Sequence, residues 1–143
     1  MVARRSEAEW RGGLKDGAGT LSLGSGAFLG DYSFATRFET APGTNPEELL
    51  GAAHAACFSM ALSMVLGAAG FTPRSIRTSA EVHIAASADG FAISRIDLVT
   101  EGDVPGIDLA SFSAQAEAAK RECPVSKALA AVEITLNARL AGG

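Results

Sequence analysis

Two cysteines and a histidine are the residues of this chain whose types and spacing allow chemistry. Cys57 follows His54 by three residues in an uncharged stretch, LLGAAHAACFSMALSMVLGAAG. On a helix this spacing puts both side chains on one face, as in half of a metal site. The chain holds 2 histidines and 2 cysteines, so third and fourth ligands are scarce. Cys57 is therefore a small core residue or a nucleophile, and His54 is a core residue or a ligand.

The second cysteine precedes a proline in the stretch ECPVSKAL. Cys123 lies where a helix would begin, and Pro124 suits the first helical position, which needs no amide donor. The sulfur would then lie at the positive end of the helix dipole, which favours a thiolate. From position alone, Cys123 either caps a turn or is a reactive thiol. In a reducing compartment the two cysteines are either inert thiols or a transient redox couple.

Length and charge limit the classes of function. A chain of 143 residues, 48% hydrophobic and 20% charged, is expected to form one folded domain, 1–143. The net charge is −4 and the basic residues are scattered, so nucleic-acid binding is not expected. The N-terminal MVARRSEAEWRGG has no apolar stretch after its arginines and no cleavage pattern, which predicts a cytoplasmic protein.

The uncharged run from Leu49 to Gly70 is as long as a transmembrane helix, about 20 residues. Its ends are those of a soluble helix: Asn45 is a good N-cap, Pro46 fits the first position, and Glu48 suits a capping box. Gly70 supplies the stop. The run is rich in small residues and lacks flanking Lys and Arg, so we expect a buried central helix and no membrane contact.

This helix is apolar on nearly every face and therefore needs cover on nearly every face. A sheet can cover one side, and small residues would let another helix approach the other side. These residues are Ala52, Ala53, Ala55, Ala56 and Ala61. A second copy of the same helix is the economical partner, which predicts a homodimer.

The remaining sequence predicts strands and two shorter helices. The strands are expected at Phe34 to Phe38, Ile76 to Ile84, Phe91 to Thr100 and Val132 to Leu140. Asp89 and Gly90 predict a hairpin turn, and a slip in apolar phase predicts a bulge near Ser94 and Arg95. The helices are expected at Leu109 to Glu122 and from Pro124 to about Ala131. The order predicts an α+β fold with antiparallel sheets packed on the long buried helix.

Three stretches carry a family resemblance: RFETAPGTNPEELLGAAHAACFSMALSMVLGAAGFTP, VPGID and ECPVSKAL. They resemble the osmotically inducible protein C (OsmC) and organic hydroperoxide resistance (Ohr) family, on its OsmC-like side. The likeness extends from about Ala8 to Leu140. It implies an intertwined α+β homodimer that acts as a cysteine-based peroxidase on organic hydroperoxides.

The resemblance also implies roles for four residues. Cys57 takes the role of the peroxidatic cysteine and Cys123 that of the resolving cysteine. Arg37 is the cation paired with the thiolate, and Glu47 is the carboxylate that orients this arginine. The implied reaction converts Cys57 to a sulfenic acid, which condenses with Cys123 to a disulfide that an external thiol reduces. In the Ohr branch this reductant is of the lipoyl type, and no metal or bound cofactor is required.

Physical chemistry explains why a mid-helix cysteine would need such partners. Burial raises the pKa of a thiol, so a cation is required, and Arg37 lies on the polar phase of the predicted strand. A buried arginine in turn requires a carboxylate. Glu47 and Cys57 are separated by about 15 Å along one helix, so they cannot touch within one chain. If both belong to one site, Glu47 comes from the other subunit, and Arg37 is expected to come with it.

A preference for organic peroxides would follow from apolar walls around the site. The candidates for such walls, each also an ordinary core residue, are Phe38, Phe58, Met60, Met64 and Phe71. Two other functions compete with the peroxidase. One is a noncatalytic dimeric module that binds a small hydrophobic ligand, and the other is a metal-dependent hydrolase using His54 and Cys57. His83, on the polar side of a strand, is expected to be solvated.

Overall fold

The structure is a computed structural model that describes residues 2–142. The strands in this range are β1 (Ser6–Arg11), β2 (Ala18–Leu23), β3 (Leu29–Tyr32), β4 (Ser75–Ser87), β5 (Gly90–Asp103) and β6 (Glu133–Leu140). The helices are α1 (Phe34–Phe38), α2 (Pro46–Ala68), α3 (Leu109–Glu122) and α4 (Pro124–Ala128). The predicted α+β fold with a long central helix is confirmed.

The chain divides into two compact units between Leu49 and Leu50. The first unit holds an antiparallel sheet in the order β1-β2-β3, together with α1. The second unit holds most of α2, a sheet in the order β4-β5-β6, and helices α3 and α4. That residues 1–143 act as one domain stays a prediction.

The segment Phe34–Phe38 is the helix α1, and the predicted strand there is wrong. Ser33 begins the helix with a capping box, because its hydroxyl accepts from the amide of Thr36 while the Thr36 hydroxyl accepts from the Ser33 amide. Phe34 and Phe38 fit a strand alternation, but they are also one helical turn apart, and their rings lie 5.0 Å from each other. Arg37 therefore lies in the last turn of a short helix.

Both ends of α2 form as predicted. The Asn45 side chain accepts a hydrogen bond from the Glu48 amide at 2.8 Å, and Pro46 is the first helical residue. At the other end Gly70 has a φ of 91°, and the Phe71 amide donates to the Leu66 carbonyl at 2.9 Å. These local signals fix the length of the helix.

The second sheet contains the predicted hairpin and bulge. Gly90 opens β5 with a φ of 109°, and the pairing of β4 with β5 skips Ser94 between His83 and Ile84. The sheet is mixed, because β6 pairs parallel to β5. The predicted antiparallel pairing is confirmed for the other strand pairs and is wrong for β6, since α3 and α4 form a crossover that returns the chain in the same direction. Helix α4 is also shorter than expected and ends at Ala128.

Helix α2 is buried on one face within the second unit. Phe58, Leu62 and Leu66 pack in a core with Ile96 of β5 and Phe112 of α3. The opposite face is exposed, uncharged and rich in small residues and methionine. This exposed stripe consists of Ala52, Ala53, Ala56, Met60, Ser63, Met64 and Gly67. By length and composition α2 could also cross a membrane, a test that core helices of soluble proteins pass as well.

Candidate functional site

The two cysteines of the chain meet in the second unit. Cys57 lies in the middle of α2, and Cys123 ends α3 and begins α4. Both are free thiols, and the Cys57 thiol donates a hydrogen bond to the Cys123 sulfur. Cys123 is fully buried, whereas Cys57 is half-buried. A reagent that enters from solvent therefore reaches Cys57 first, and Cys123 lies behind it.

The pKa values of the two thiols shift in opposite directions. Burial, together with the hydrogen bond to Cys123, raises the pKa of Cys57, although the amide of Val125 acts against this. Burial also opposes ionisation of Cys123, but hydrogen bonds from Cys57, from Ser126 and from the amide of Val125 lower the pKa of its thiol. The accessible thiol of the pair therefore needs a cation if it is to ionise.

Cys123 occupies the predicted N-cap position of α4, with Pro124 in the first turn. Its side chain makes no capping hydrogen bond of normal geometry. The amides of Val125 and Ser126 nevertheless point to the sulfur closely enough to lower its pKa, as sulfur accepts at longer distances than oxygen. The start of α4 therefore favours the Cys123 thiolate.

Arg37 and Glu47 form an ion pair in the first unit. The Arg37 Nη2 donates to Glu47 Oε1 at 2.8 Å, and its Nε lies 3.1 Å from the same oxygen and 3.3 Å from Oε2. Glu47 is buried, with 9% of its side chain exposed, while 37% of the Arg37 side chain is exposed. Such a multiple contact holds the guanidinium in one orientation. The four predicted site residues thus form two pairs. Arg37 pairs with Glu47 in the first unit, and Cys57 contacts Cys123 in the second unit.

An aromatic cavity of about 220 Å³ lies beside Arg37 in the first unit. It is lined by Trp10, Leu14, Tyr32, Ser33, Phe34, Arg37 and Phe38. Of the residues expected to wall the site, Phe38 lines this cavity. Phe58 lies in the core of the second unit and Phe71 packs against that core, whereas Met60 and Met64 are exposed on α2. The sequence patterns did not indicate the other aromatic residues of this cavity, which are Trp10, Tyr32 and Phe34. Phe34 was assigned to a strand, whereas it begins the helix α1.

His54 and Ser126 form a buried hydrogen bond beside Cys123. The distance between His54 Nε2 and Ser126 Oγ is 2.8 Å, and both side chains are buried. Burial lowers the pKa of His54, so its imidazole is neutral. Ser126 was not among the predicted site residues, although its position three residues after a capping cysteine places it within reach of the sulfur.

The metal-dependent hydrolase receives no support from the residues 2–142. In this range, the one group of three or more side chains close enough to share a metal consists of Glu81, His83 and Asp97. It includes neither His54 nor Cys57. Arg95 already pairs with Asp97 at 3.0 Å, so a cation of the protein itself occupies this group.

Asp97 joins all three strands of the second sheet. Its carboxylate accepts from Thr135 of β6 at 2.6 Å, from His83 of β4 at 2.8 Å, and from Arg95 of its own strand. The pKa of Asp97 is lowered to about 2, mainly by the hydrogen bonds from Thr135 and His83. His83, which was expected to be solvated, is thus part of this network.

We expect the stability contribution of Asp97 to depend on pH. Because its folded pKa is depressed, the contribution is complete above the unfolded value of about 4 and disappears as the pH falls to about 2. Asp97→Asn should therefore lower the thermal midpoint at neutral pH, with a difference from wild type that vanishes in acid. Thermal denaturation across this range measures the difference. Asp89→Asn, in the hairpin turn, is the control, and a pH-independent effect of Asp97→Asn would contradict the assignment.

Comparison with known proteins places the chain in a family. Residues 39–137 match the OsmC family of OsmC-like proteins. The chain is 53% identical over 140 residues to the peroxiredoxin OsmC of Escherichia coli K12, a match that covers 97% of each protein. A protein of the same name from Shigella flexneri matches equally.

Solved structures share the fold. The organic hydroperoxide resistance protein OhrB of Bacillus subtilis is 25% identical, with a TM-score of 0.72 over 95% of this chain and 97% of that one. An organic hydroperoxide resistance protein from Elizabethkingia anophelis, 24% identical, superposes with a TM-score of 0.78 over 97% of this chain and 98% of that one. With the family match and the identity over nearly its whole length, the chain belongs to the OsmC family.

Proposed function

We propose that this chain is a cysteine-based peroxidase that reduces organic hydroperoxides to alcohols. The observation that carries the proposal is the contact between a half-buried thiol, Cys57, and a buried, more acidic thiol, Cys123. A peroxide can oxidise the first sulfur, and the second lies ready to attack it. The relative from Escherichia coli is named a peroxiredoxin, which supports a peroxidase-type function. The name of the Bacillus subtilis protein supports an organic hydroperoxide as the substrate.

The reaction begins with attack of the Cys57 thiolate on the distal oxygen of the hydroperoxide. The O–O bond breaks, the alkoxide leaves and takes up a proton, and Cys57 becomes a sulfenic acid. Cys123 then attacks the Cys57 sulfur, which forms the disulfide and releases the hydroxyl as water. An external thiol, of the lipoyl type in the Ohr branch, returns both cysteines to thiols. Attack by this reductant on Cys57 releases Cys123, the better leaving group because its pKa is lower.

Ionisation of Cys57 requires a cation, and Arg37 is our candidate. The ion pair with Glu47 orients the guanidinium and leaves part of it exposed. A positive charge beside the sulfur would stabilise both the thiolate and the charge that develops on the departing alkoxide. Because Glu47 and Cys57 are separated by about 15 Å along α2, the cation for each Cys57 is Arg37 of the partner subunit in this proposal.

A homodimer would provide this partner. The exposed stripe of α2 contains no charged residue, and 77% of Met60 and 63% of Met64 are exposed. Its residues recur every three or four positions, and most of them are small, which allows two helices to approach closely. A second copy of the same stripe is the matching surface, since the dimer axis would bring identical patches together.

The aromatic cavity beside Arg37 is the candidate site for the organic part of the substrate. Its walls are mainly Trp10, Tyr32, Phe34 and Phe38, and they would accept an alkyl or aryl group next to the guanidinium. Hydrogen peroxide has no such group and gains nothing from these walls. The preference for organic peroxides in the proposal rests on this difference.

Titration of free thiols tests the proposal directly. One equivalent of tert-butyl hydroperoxide should remove both thiols of each reduced chain within seconds, and dihydrolipoamide should restore them. An equal dose of hydrogen peroxide should act more slowly. A noncatalytic module that binds a hydrophobic ligand would keep both thiols after either treatment.

A further inference from the structure

A chain of buried hydrogen bonds leads from α2 to the sulfur of Cys123. The Ser126 hydroxyl and amide both lie close enough to the Cys123 sulfur to lower the pKa of its thiol, and the same hydroxyl lies 2.8 Å from His54 Nε2. Cys123 and His54 have no solvent exposure, and Ser126 is 6% exposed. The proposed peroxidase reaction gives neither His54 nor Ser126 a role.

The number of protons available to these side chains fixes the direction of the hydrogen bonds between them. A serine hydroxyl has one proton, and a thiolate at position 123 can only accept. Ser126 must then donate to the sulfur, and its oxygen must accept from His54 Nε2. The neutral imidazole therefore carries its proton on Nε2, which leaves Nδ1 as a bare acceptor. This agrees with the environment, since Nδ1 is buried and has no hydrogen-bond partner among residues 2–142. An acceptor without a partner costs less there than an unpaired N–H.

We propose that Ser126 donates to the Cys123 thiolate during disulfide formation, and that His54 is a positioning residue that points the Ser126 hydroxyl at the sulfur. The inference rests on the proposed function, because it concerns the resolving half of that reaction. In this step the S–O bond of the Cys57 sulfenic acid breaks and the S–S bond forms. The proton that Cys123 gave up leaves with the hydroxyl as water, so no other oxidant or reductant takes part.

The same donation acts in reverse during reduction. When an external thiol attacks Cys57, Cys123 departs as a thiolate and meets a hydroxyl that is already oriented. The charged side chains of Glu122 and Lys127, near the start of α4, do not replace this hydroxyl. Both are exposed, and their charges lie 3.9 Å from each other, so they pair with each other. His54 is neutral because burial lowers its pKa, and Cys57, the thiol in contact with Cys123, is consumed in the reaction itself.

The first test measures ionisation of Cys123 without any peroxide. The variant Cys57→Ser keeps one thiol, Cys123, and the hydroxyl introduced at position 57 can still donate to it. Thiolate absorbance measured against pH therefore reports the ionisation of Cys123 alone. Adding Ser126→Ala should move this titration to higher pH, and adding His54→Leu should move it in the same direction. His54→Gln, which retains an N–H donor, should restore much of the wild-type curve. Unchanged curves in Ser126→Ala would overturn the proposal.

The second test measures resolution in the chain that has both cysteines. After one equivalent of cumene hydroperoxide, Ser126→Ala should form the disulfide about tenfold more slowly and expose more Cys57 sulfenic acid to dimedone, because it lacks a hydrogen bond to a charged group. The rate of the first oxidation should stay within about twofold of wild type, since Ser126 does not contact the peroxide.

Ser59→Ala is the matched control, because Ser59 also lies in the second unit and its hydroxyl donates to Thr78 at 2.8 Å. It should lower stability without changing the titration or the rate of resolution. A merely structural role for Ser126 would make the two variants behave alike and would refute the inference. If instead the wild-type thiols do not react with peroxide while the first test gives the expected shifts in titration, the proposed function is wrong. The roles inferred for Ser126 and His54 in the ionisation of Cys123 are then still supported.

Discussion

Replacement of Cys57 by serine is expected to abolish peroxide turnover, with a loss of about three orders of magnitude or more. The hydroxyl that replaces the thiol is a far weaker nucleophile toward peroxide oxygen. Cys123 cannot take over, because it is fully buried behind position 57 despite its lowered pKa. Steady consumption of cumene hydroperoxide with dihydrolipoamide as reductant measures the effect.

The matched variant Cys123→Ser separates the two halves of the reaction. It should still consume one equivalent of peroxide per chain and then stop, with dimedone bound at Cys57 in the mass spectrum. The pKa shifts within one chain favour Cys123 as the peroxidatic cysteine, whereas solvent exposure favours Cys57. The two variants show which of these two properties decides the first oxidation. Rapid oxidation of Cys123 in Cys57→Ser would reverse the roles.

Arg37→Ala is expected to reduce turnover by about 10²- to 10³-fold, since it removes the charge proposed to stabilise both the thiolate and the departing alkoxide. Arg37→Lys should recover only part of this loss, because an ammonium cannot keep the two-nitrogen contact with Glu47. Arg95→Ala, which removes another partly exposed arginine, is the control and should retain turnover.

Mixed dimers test whether the arginine acts across subunits. Chains carrying Arg37→Ala and chains carrying Cys57→Ser can be co-expressed with different affinity tags and isolated as mixed pairs. Each pair should then have one complete site out of two and about half of the wild-type activity. An inactive mixed dimer would show that Arg37 serves its own chain. A mass of one chain by light scattering at micromolar concentration would refute the dimer itself.

The parts of the fold that depend on local signals could be predicted from the sequence. Asn45, Pro46 and Gly70 fix the ends of α2 through caps that need no distant partner. The hairpin at Gly90 and the bulge at Ser94 follow in the same way from a turn residue and a change of apolar phase.

The parts that failed depend on choices that local patterns leave open. Phe34 and Phe38 satisfy both a strand and a helix, and the capping box at Ser33 decides between them. The direction of β6 follows from the crossover through α3 and α4, not from its own alternation. In the candidate site, Cys57 and Cys123 carry the family pattern, whereas the contact of Ser126 with His54 appears only when α4 lies against α2.

The contact between the two thiols also links distant parts of the second unit. The segment between Cys57 and Cys123 contains β4, β5 and α3, so a bond between the sulfurs would close most of this unit into a ring. Closure of a loop of roughly 65 residues removes chain entropy from the unfolded state that corresponds to about 4 kcal/mol. The oxidised intermediate of the proposed cycle should therefore have a larger free energy of unfolding than the resting form. The reductant must supply enough driving force to offset this added stability.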